Sequence, residues 1–231
     1  NNFKPDVLCI QETKAWQEQL NEEQVNPHGY TGCFSQAERK GYSGVATFAY
    51  EPFSKVATGL GVEELDSEGR VLVTRHGDIN IANIYFPNGK QNKGRLDYKM
   101  RFYEATLKFF KAMADGGEKV VVLGDYNTAH KPIDLTHPDS NSKTSGFLPM
   151  ERAWIDRWID AGFVDSFRRF NSEPENYTWW DMRTRARDRN IGWRIDYLFV
   201  SENMIDQVTD AWINADVMGS DHCPLGIEVK V

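Results

Sequence analysis

The sequence predicts an α/β fold in which mixed β-sheets are covered by helices. Three observations carry this: short β-branched or apolar runs recur along the chain, two segments have helical periodicity, and some strands follow each other closely while others are separated by helix. The strand-like runs are residues 7–10, 45–49, 71–75, 79–86, 120–123, 195–200 and 225–231. The first helix spans residues 95–114. Leu96, Met100, Tyr103, Leu107, Phe110 and Ala114 repeat at helical spacing, with Lys99, Arg101, Glu104, Lys108 and Lys111 on other faces, and Asp115-Gly116-Gly117 ends it. The second begins at Pro149, suited to a first helical turn, places Trp154 and Trp158 four apart as core aromatics, and stops at Ala161-Gly162. No repeat, low-complexity tract or convincing linker interrupts residues 1–231, so one domain is expected. The longest irregular stretches, about 131–148 and 171–192, have the length of functional loops.

The 231 residues are 40% hydrophobic and 26% charged, the mixture of a soluble folded domain. Lysine plus arginine number 27 against 34 acids, a net charge of −7, so the molecule as a whole repels polyanions and nucleic acid must meet a local basic face. Two runs qualify: residues 89–101, with Lys90, Lys93, Arg95, Lys99 and Arg101 against Asp97, and residues 181–194, with Arg183, Arg185, Arg187, Arg189 and Arg194 against Asp181 and Asp188. The plain alternative for each is a solvated charged surface. Cys9, Cys33 and Cys223 form no C-x-x-C, which argues against a disulfide scaffold or zinc knuckle and suits a reducing intracellular compartment. No apolar run approaches the ~20 residues of a membrane span. A first strand so close to Asn1, with no leader or initiator methionine, resembles the interior of a longer protein.

Candidate chemistry lies at strand ends. Val120-Val121-Val122-Leu123 leads into Gly124-Asp125-Tyr126-Asn127, which delivers a carboxylate and an amide two residues apart and pointing the same way. Such a pair can deprotonate and hold a water, although Gly-Asp-x-Asn is also turn chemistry. Glu12 leaves the first strand in Gln11-Glu12-Thr13-Lys14, as a magnesium ligand or as a helix-start acid. His222, in Ser220-Asp221-His222-Cys223-Pro224, suits proton donation to a charged oxygen, and Asp196 in its apolar strand needs a partner that His222 can be. A Cys223-His222 nucleophilic pair is disfavoured because adjacent extended residues face opposite ways, so Cys223 reads as a small buried group. The zinc-protease, Walker and G-x-S-x-G motifs are absent.

Seven blocks in order carry a resemblance: Ile10-Gln11-Glu12-Thr13-Lys14, Arg39-Lys40-Gly41-Tyr42-Ser43-Gly44-Val45, Tyr85-Phe86-Pro87-Asn88-Gly89, Gly124-Asp125-Tyr126-Asn127-Thr128-Ala129-His130, Ser145-Gly146-Phe147-Leu148-Pro149, Gly192-Trp193-Arg194-Ile195-Asp196-Tyr197 and Ser220-Asp221-His222. Together they resemble the exonuclease III family of apurinic/apyrimidinic endonucleases, most of all its archaeal and bacterial branch that includes a DNA uridine endonuclease. The resemblance implies a four-layer α/β sandwich of two packed mixed sheets flanked by helices, and Mg2+-dependent (or Mn2+-dependent) hydrolysis of duplex DNA 5′ to abasic sites, with 3′→5′ exonuclease or 3′-end cleaning. It implies that Glu12 binds the metal with help from Asp221, Asp125 activates water, Asn127 orients it, His222 held by Asp196 stabilises the phosphate, and Tyr85 and Asn88 contact the scissile group. Trp179, Trp193 and Ile195 would wall an apolar pocket for the base-less sugar. Arg183 would enter the DNA stack, and Arg185, Arg187, Arg189 and Lys90 would lie on phosphates.

The family pattern opens with a further strand ending in an asparagine, then a helix. That needs roughly 25 residues, so the expectation is a single nuclease domain lacking this piece. The partner implied is DNA with abasic or damaged sites, met by a monomer in the cytoplasm at the nucleoid, or in a nucleus. The alternatives are hydrolysis of another phosphoester (inositol phosphate, sphingolipid or RNA) and a catalytically impaired DNA-binding form.

Overall fold

The computed structural model describes residues 4–231. In chain order its strands are β1 (Val7–Gln11), β2 (Thr31–Ser35), β3 (Val45–Ala49), β4 (Lys55–Thr58), β5 (Val71–His76), β6 (Ile79–Tyr85), β7 (Lys119–Asp125), β8 (Phe163–Asp165), β9 (Trp179–Trp180), β10 (Gly192–Trp193), β11 (Asp196–Ser201), β12 (Val208–Ile213) and β13 (Leu225–Val229). The central sheet has the order β4-β5-β6-β7-β11-β8. It is mixed: β6 and β7 run parallel, joined by the long helix Lys93–Asp115, and the other neighbours are antiparallel.

Alternation along β7 sorts its side chains between two cores. Val120 and Val122 enter the larger one, which the helices Lys93–Asp115 and Pro149–Asp160 close with Phe102, Tyr103, Phe110, Trp154 and Trp158. Val121 faces the other way, with Ile79 and Val200, under Ile227 and Val229 of β13. The second layer is divided into two antiparallel ladders, β1-β3-β2 and β12-β13. Central β3 is fully buried, whereas edge strand β1 alternates, leaving Leu8 and Ile10 43% and 39% exposed. Between β1 and β2 the described chain forms only short turns and the one-turn helix Glu22–Val25, so the outer helical cover of this layer is thin.

The expected α/β architecture and all seven anticipated strands are present, and both helices lie within two residues of their predicted ends. The two-residue strands β9 and β10 escaped prediction, as did β2, β4, β8 and β12. The last four read Thr-Gly-Cys-Phe-Ser, Lys-Val-Ala-Thr, Phe-Val-Asp and Val-Thr-Asp-Ala-Trp-Ile, too short or too broken by polar residues to form an apolar run. One assignment within the long helix is corrected. Lys99, expected on a polar face, is 0% exposed, because it continues the stripe of Phe102, Tyr103, Thr106 and Phe110 at spacings of three and four.

Gly124 is required where β6 and β7 meet. Its φ is +134°, and a Cβ there would overlap the carbonyl of its register partner Ile84. The tight approach sets the position of the next residue, Asp125.

Trp158 packs face to face on Phe163 with ring centroids 4.2 Å apart, and its buried indole N–H has no partner among the described residues. Trp158→Ala is therefore expected to lower the unfolding free energy by about 3–5 kcal/mol in denaturant titration. Trp158→Phe should cost less, because it also removes the unsatisfied donor; equal losses would contradict this packing.

Candidate active site

Three neighbouring strands end in a row of polar side chains. Asp125 closes β7, Asp196 opens β11 as its direct antiparallel partner, and Tyr85 closes β6 as its parallel partner. From the second layer Glu12 follows β1, and His222 precedes β13, bridging to Trp179. Glu12, Tyr85, Asp125 and His222 meet around a cavity of about 230 Å³, whose walls also include Asn88, Lys90, Asn127, Asp221, Trp179, Trp193 and Ile195; Asp196 stands behind His222.

Asp125 is 4% exposed. Its Oδ1 accepts the Asn127 N–H at 2.7 Å and its Oδ2 accepts Asn127 Nδ2 at 2.9 Å. Asn127 takes a left-handed backbone, φ +52°, a conformation that asparagine tolerates but that still needs support. Support comes from Asn88, whose Nδ2 donates to Asn127 Oδ1 at 2.8 Å, and from Lys99, whose ammonium donates to the Asn127 carbonyl at 2.7 Å. Lys99 is in turn paired with Glu151 at 2.6 Å, both 0% exposed, and Glu151 accepts from Ser145 Oγ and the Gly146 N–H. This buried pair ties the Asp125-Asn127 turn to the loop that passes Trp193. Burial pushes the Asp125 carboxyl up to about 7, the Asp196 charge adds to the rise, and His222 and the Asn127 N–H oppose it.

His222 Nδ1 lies 2.9 and 3.1 Å from the two Asp196 oxygens, which leaves Nε2 for a substrate. Burial alone would lower its pKa; Asp196 above all, then Asp125 and Asp221, raise it to about 10, so the ring carries a proton at neutral pH. Tyr85 Oη donates a short hydrogen bond to Glu12 Oε1. Burial and the Asp125 and Glu12 charges hold this phenol well above its usual range, so it stays a donor. Glu12 Oε2 lies 2.5 Å from Lys14 Nζ. Burial would raise the Glu12 carboxyl, but the Lys14 and Tyr85 hydrogen bonds outweigh it and keep it lowered.

Three carboxylates, Glu12, Asp125 and Asp221, thus line the cavity with His222 and Lys90, and Asp196 adds a fourth charge behind His222. So much sheltered negative charge calls for a cation. One donor atom each from Asp125, Asp196 and His222 lie within 4.8 Å of one another. Asp196 is turned to the His222 ring, whereas the Glu12 and Asp125 oxygens, each with one hydrogen-bond donor, line the cavity and keep a further lone pair for a cation. The set fits a hydrated divalent ion, which takes few protein ligands and keeps several waters. Asp221 lines the cavity, but its Oδ2 accepts Trp179 Nε1 at 3.0 Å, so it adds charge to the cation site while positioning a pocket wall.

The expected apolar pocket assembles. Trp179 and Trp193 pack with Ile195, Phe147 and Leu135, and Gly146 comes so close to Trp193 that a Cβ would lie 3.3 Å from its ring. Lys90 stands at this pocket, its ammonium 5.3 and 5.7 Å from the two indole centroids. Arg183, Arg185 and Arg189 are exposed. Arg187 departs from its expected place on a phosphate: its guanidinium stacks on Trp180 and donates to three backbone carbonyls. Cys223 is buried, with its thiol pushed up to about 12 chiefly by burial, as its reading as an inert small residue requires. Lys99, Glu151 and the carbonyl contacts of Arg187 escaped sequence reasoning. For Lys99 a signal existed, a lone lysine inside the apolar stripe of a helix.

The family model described as the Endonuclease/Exonuclease/phosphatase family matches residues 1–222. The chain is 43% identical to the exodeoxyribonuclease of Bacillus subtilis, across 98% of its own length and 88% of that protein. It is 36% identical to the DNA-(apurinic or apyrimidinic site) endonuclease of Dictyostelium discoideum, across 98% of its length and 63% of that protein. Among solved structures, the 3′ phosphatase NExo of Neisseria bound to a product DNA hairpin superposes with a TM-score of 0.92 at 27% identity, covering the whole chain and 91% of that one. With its strand-end carboxylates, the Asp196-His222 pair and a match spanning nearly every residue, the chain belongs to the Endonuclease/Exonuclease/phosphatase family.

Proposed function

We propose that this protein is a DNA repair nuclease that hydrolyses the phosphodiester 5′ to abasic sites in duplex DNA and trims 3′ ends. The observation that carries this reading is the convergence of Glu12, Tyr85, Asp125, Asn127, Asp196 and His222 beside a pocket walled by Trp179, Trp193 and Ile195. Relatives named for abasic-site cleavage and exonuclease activity, and a neighbour solved with DNA, support it. All these residues come from one chain, so a monomer suffices. We read the chain as one nuclease domain; among the described residues β1 pairs with β3 alone. A DNA substrate supports a location in the cytoplasm at the nucleoid, or in a nucleus.

The water oxygen bonds to phosphorus as the bond to the upstream 3′ oxygen breaks, and that oxygen leaves as a 3′ hydroxyl, taking its proton from solvent; this needs an activated water, neutralisation of added charge and a stabilised leaving oxygen. Asp125, ionised above about pH 7, takes the proton from a water, and Asn127, which donates to both oxygens of the carboxylate, fixes its orientation. Protonated His222 faces the cavity through Nε2 and donates to a non-bridging phosphate oxygen; Asp196 keeps the ring oriented and charged. Tyr85 and Asn88 fix the scissile group. A magnesium ion, replaceable by manganese and held by Glu12, would supply Lewis acidity to the phosphate. The tryptophan-lined pocket selects by volume: an extruded sugar without a base enters, whereas an intact nucleotide must unstack at a cost of a few kcal/mol and then meets Trp179 and Trp193.

In a nicking assay on an abasic-site duplex with magnesium, Asp125→Asn should lose about 10²–10⁴-fold in rate while binding the duplex as the wild type does. Undiminished cutting would remove Asp125 from its role as base.

The pH profile offers a second check. Asp125 works deprotonated and His222 protonated, so the rate rises with pH to a limb no higher than about 7 and falls near 10. Because the Asp196 charge raises both groups, Asp196→Asn should move both limbs to lower pH. An alkaline limb that stays in place would show that Asp196 does not hold His222.

A further inference from the structure

We propose that Arg187 is a positioning residue for the Asp221-His222 turn, and that it acts by clamping the preceding loop and not by binding DNA phosphate. Residues 214–220 are mostly exposed; Met218 is 70% exposed, and Gly219 has a φ of +118° with open space where a Cβ would stand. Such a loop has little packing of its own to hold it. Arg187 reaches across to it from another segment. Its Nη2 donates to the Ala215 and Val217 carbonyls at 2.7 and 2.6 Å, and its Nη1 donates to the Ser220 carbonyl at 3.1 Å.

The clamp itself is anchored. Arg187 sits in the turn Ala186–Arg189, bounded by left-handed Arg185 and Asn190, with Ala186 buried beneath. The guanidinium carbon lies 4.5 Å from the centroid of Trp180, which is 2% exposed and donates from Nε1 to Asn190. From Ser220 the constraint passes to the reacting end. Ser220 Oγ accepts the His222 N–H at 3.1 Å, and His222 Nδ1 meets Asp196. The far side of the turn is already fixed, by Trp180 N–H on the Asp221 carbonyl and Cys223 N–H on the Thr178 carbonyl. Arg187 completes the grip on the near side. A planar fork that spans three carbonyls is a task for arginine that lysine cannot repeat.

This inference rests on the nuclease reading for its kinetic arm only. Arg187→Lys and Arg187→Ala would be compared with the wild type in single-turnover cleavage of an abasic-site duplex with magnesium, and in equilibrium binding of the same duplex across a salt series. The downfield Nδ1–H proton resonance of His222 would be followed by NMR in the free proteins. A clamp predicts that both variants lose about ten- to a hundredfold in cleavage rate, that affinity and salt slope stay unchanged, and that the resonance broadens or vanishes. A phosphate contact predicts the reverse: Arg187→Ala weakens binding and lowers the slope by about 0.9, Arg187→Lys restores both, and the resonance persists. That result, or wild-type behaviour in every readout, would overturn the proposal. Should the wild type itself fail to cut, the nuclease reading falls, while the His222 resonance still decides the clamp.

Discussion

Two carboxylates placed directly opposite each other on adjacent strands are the constraint around which this site is built. Asp125 and Asp196 are register partners in the middle of the central sheet, each 4% exposed. Like charges opposed in this way destabilise a sheet. The strain is relieved differently at each. Asp196 is neutralised by the imidazolium of His222, and Asp125 is left with hydrogen bonds from Asn127 and a raised affinity for a proton or a cation. The same repulsion that costs stability therefore leaves, beside one cavity, a carboxyl with raised affinity for a proton or a cation next to a protonated imidazole.

The fold makes this arrangement rigid. Gly124 lets β6 and β7 close up just before Asp125, and the buried Lys99-Glu151 pair holds the left-handed Asn127 from behind. Removing one partner of a fully buried ion pair costs about 3–5 kcal/mol, so the turn is not free to drift. On the other layer the thin cover and short strands leave Glu12 and His222 on loops fastened by specific bonds: Lys14 and Tyr85 at the one, Asp196 at the other. One half of the site is set by sheet register and the other by side-chain ties.

That division explains what was legible in the sequence. Asp125 and Asp196 could be read because each stands at the end of an apolar run, and Asn127 and His222 because they lie in short polar turns beside such runs. Glu12 could be read as a strand-exit acid. Lys99 and Glu151 were not read: the one signal for Lys99 was its place in the apolar stripe of its helix, and Glu151 reads as a surface residue until its packing partner is known. Arg187 lies in a run of arginines whose composition is the same whether a guanidinium faces solvent or backbone carbonyls. Strands β2 and β12 were missed because their polar residues interrupt the pattern, and pairing with β3 and β13 supplies the stability that their own sequences do not advertise.

The central claim is that the cavity between Glu12 and Asp125 is the place where a divalent cation neutralises this charge. Crystals soaked in manganese chloride test it most directly, by anomalous diffraction at the manganese edge. The account predicts a peak bounded by the carboxylates of Glu12 and Asp125, within reach of a water that Asp125 also contacts, and its disappearance in Glu12→Gln. No peak at these residues, or one coordinated elsewhere with both carboxylates free of it, would contradict the account.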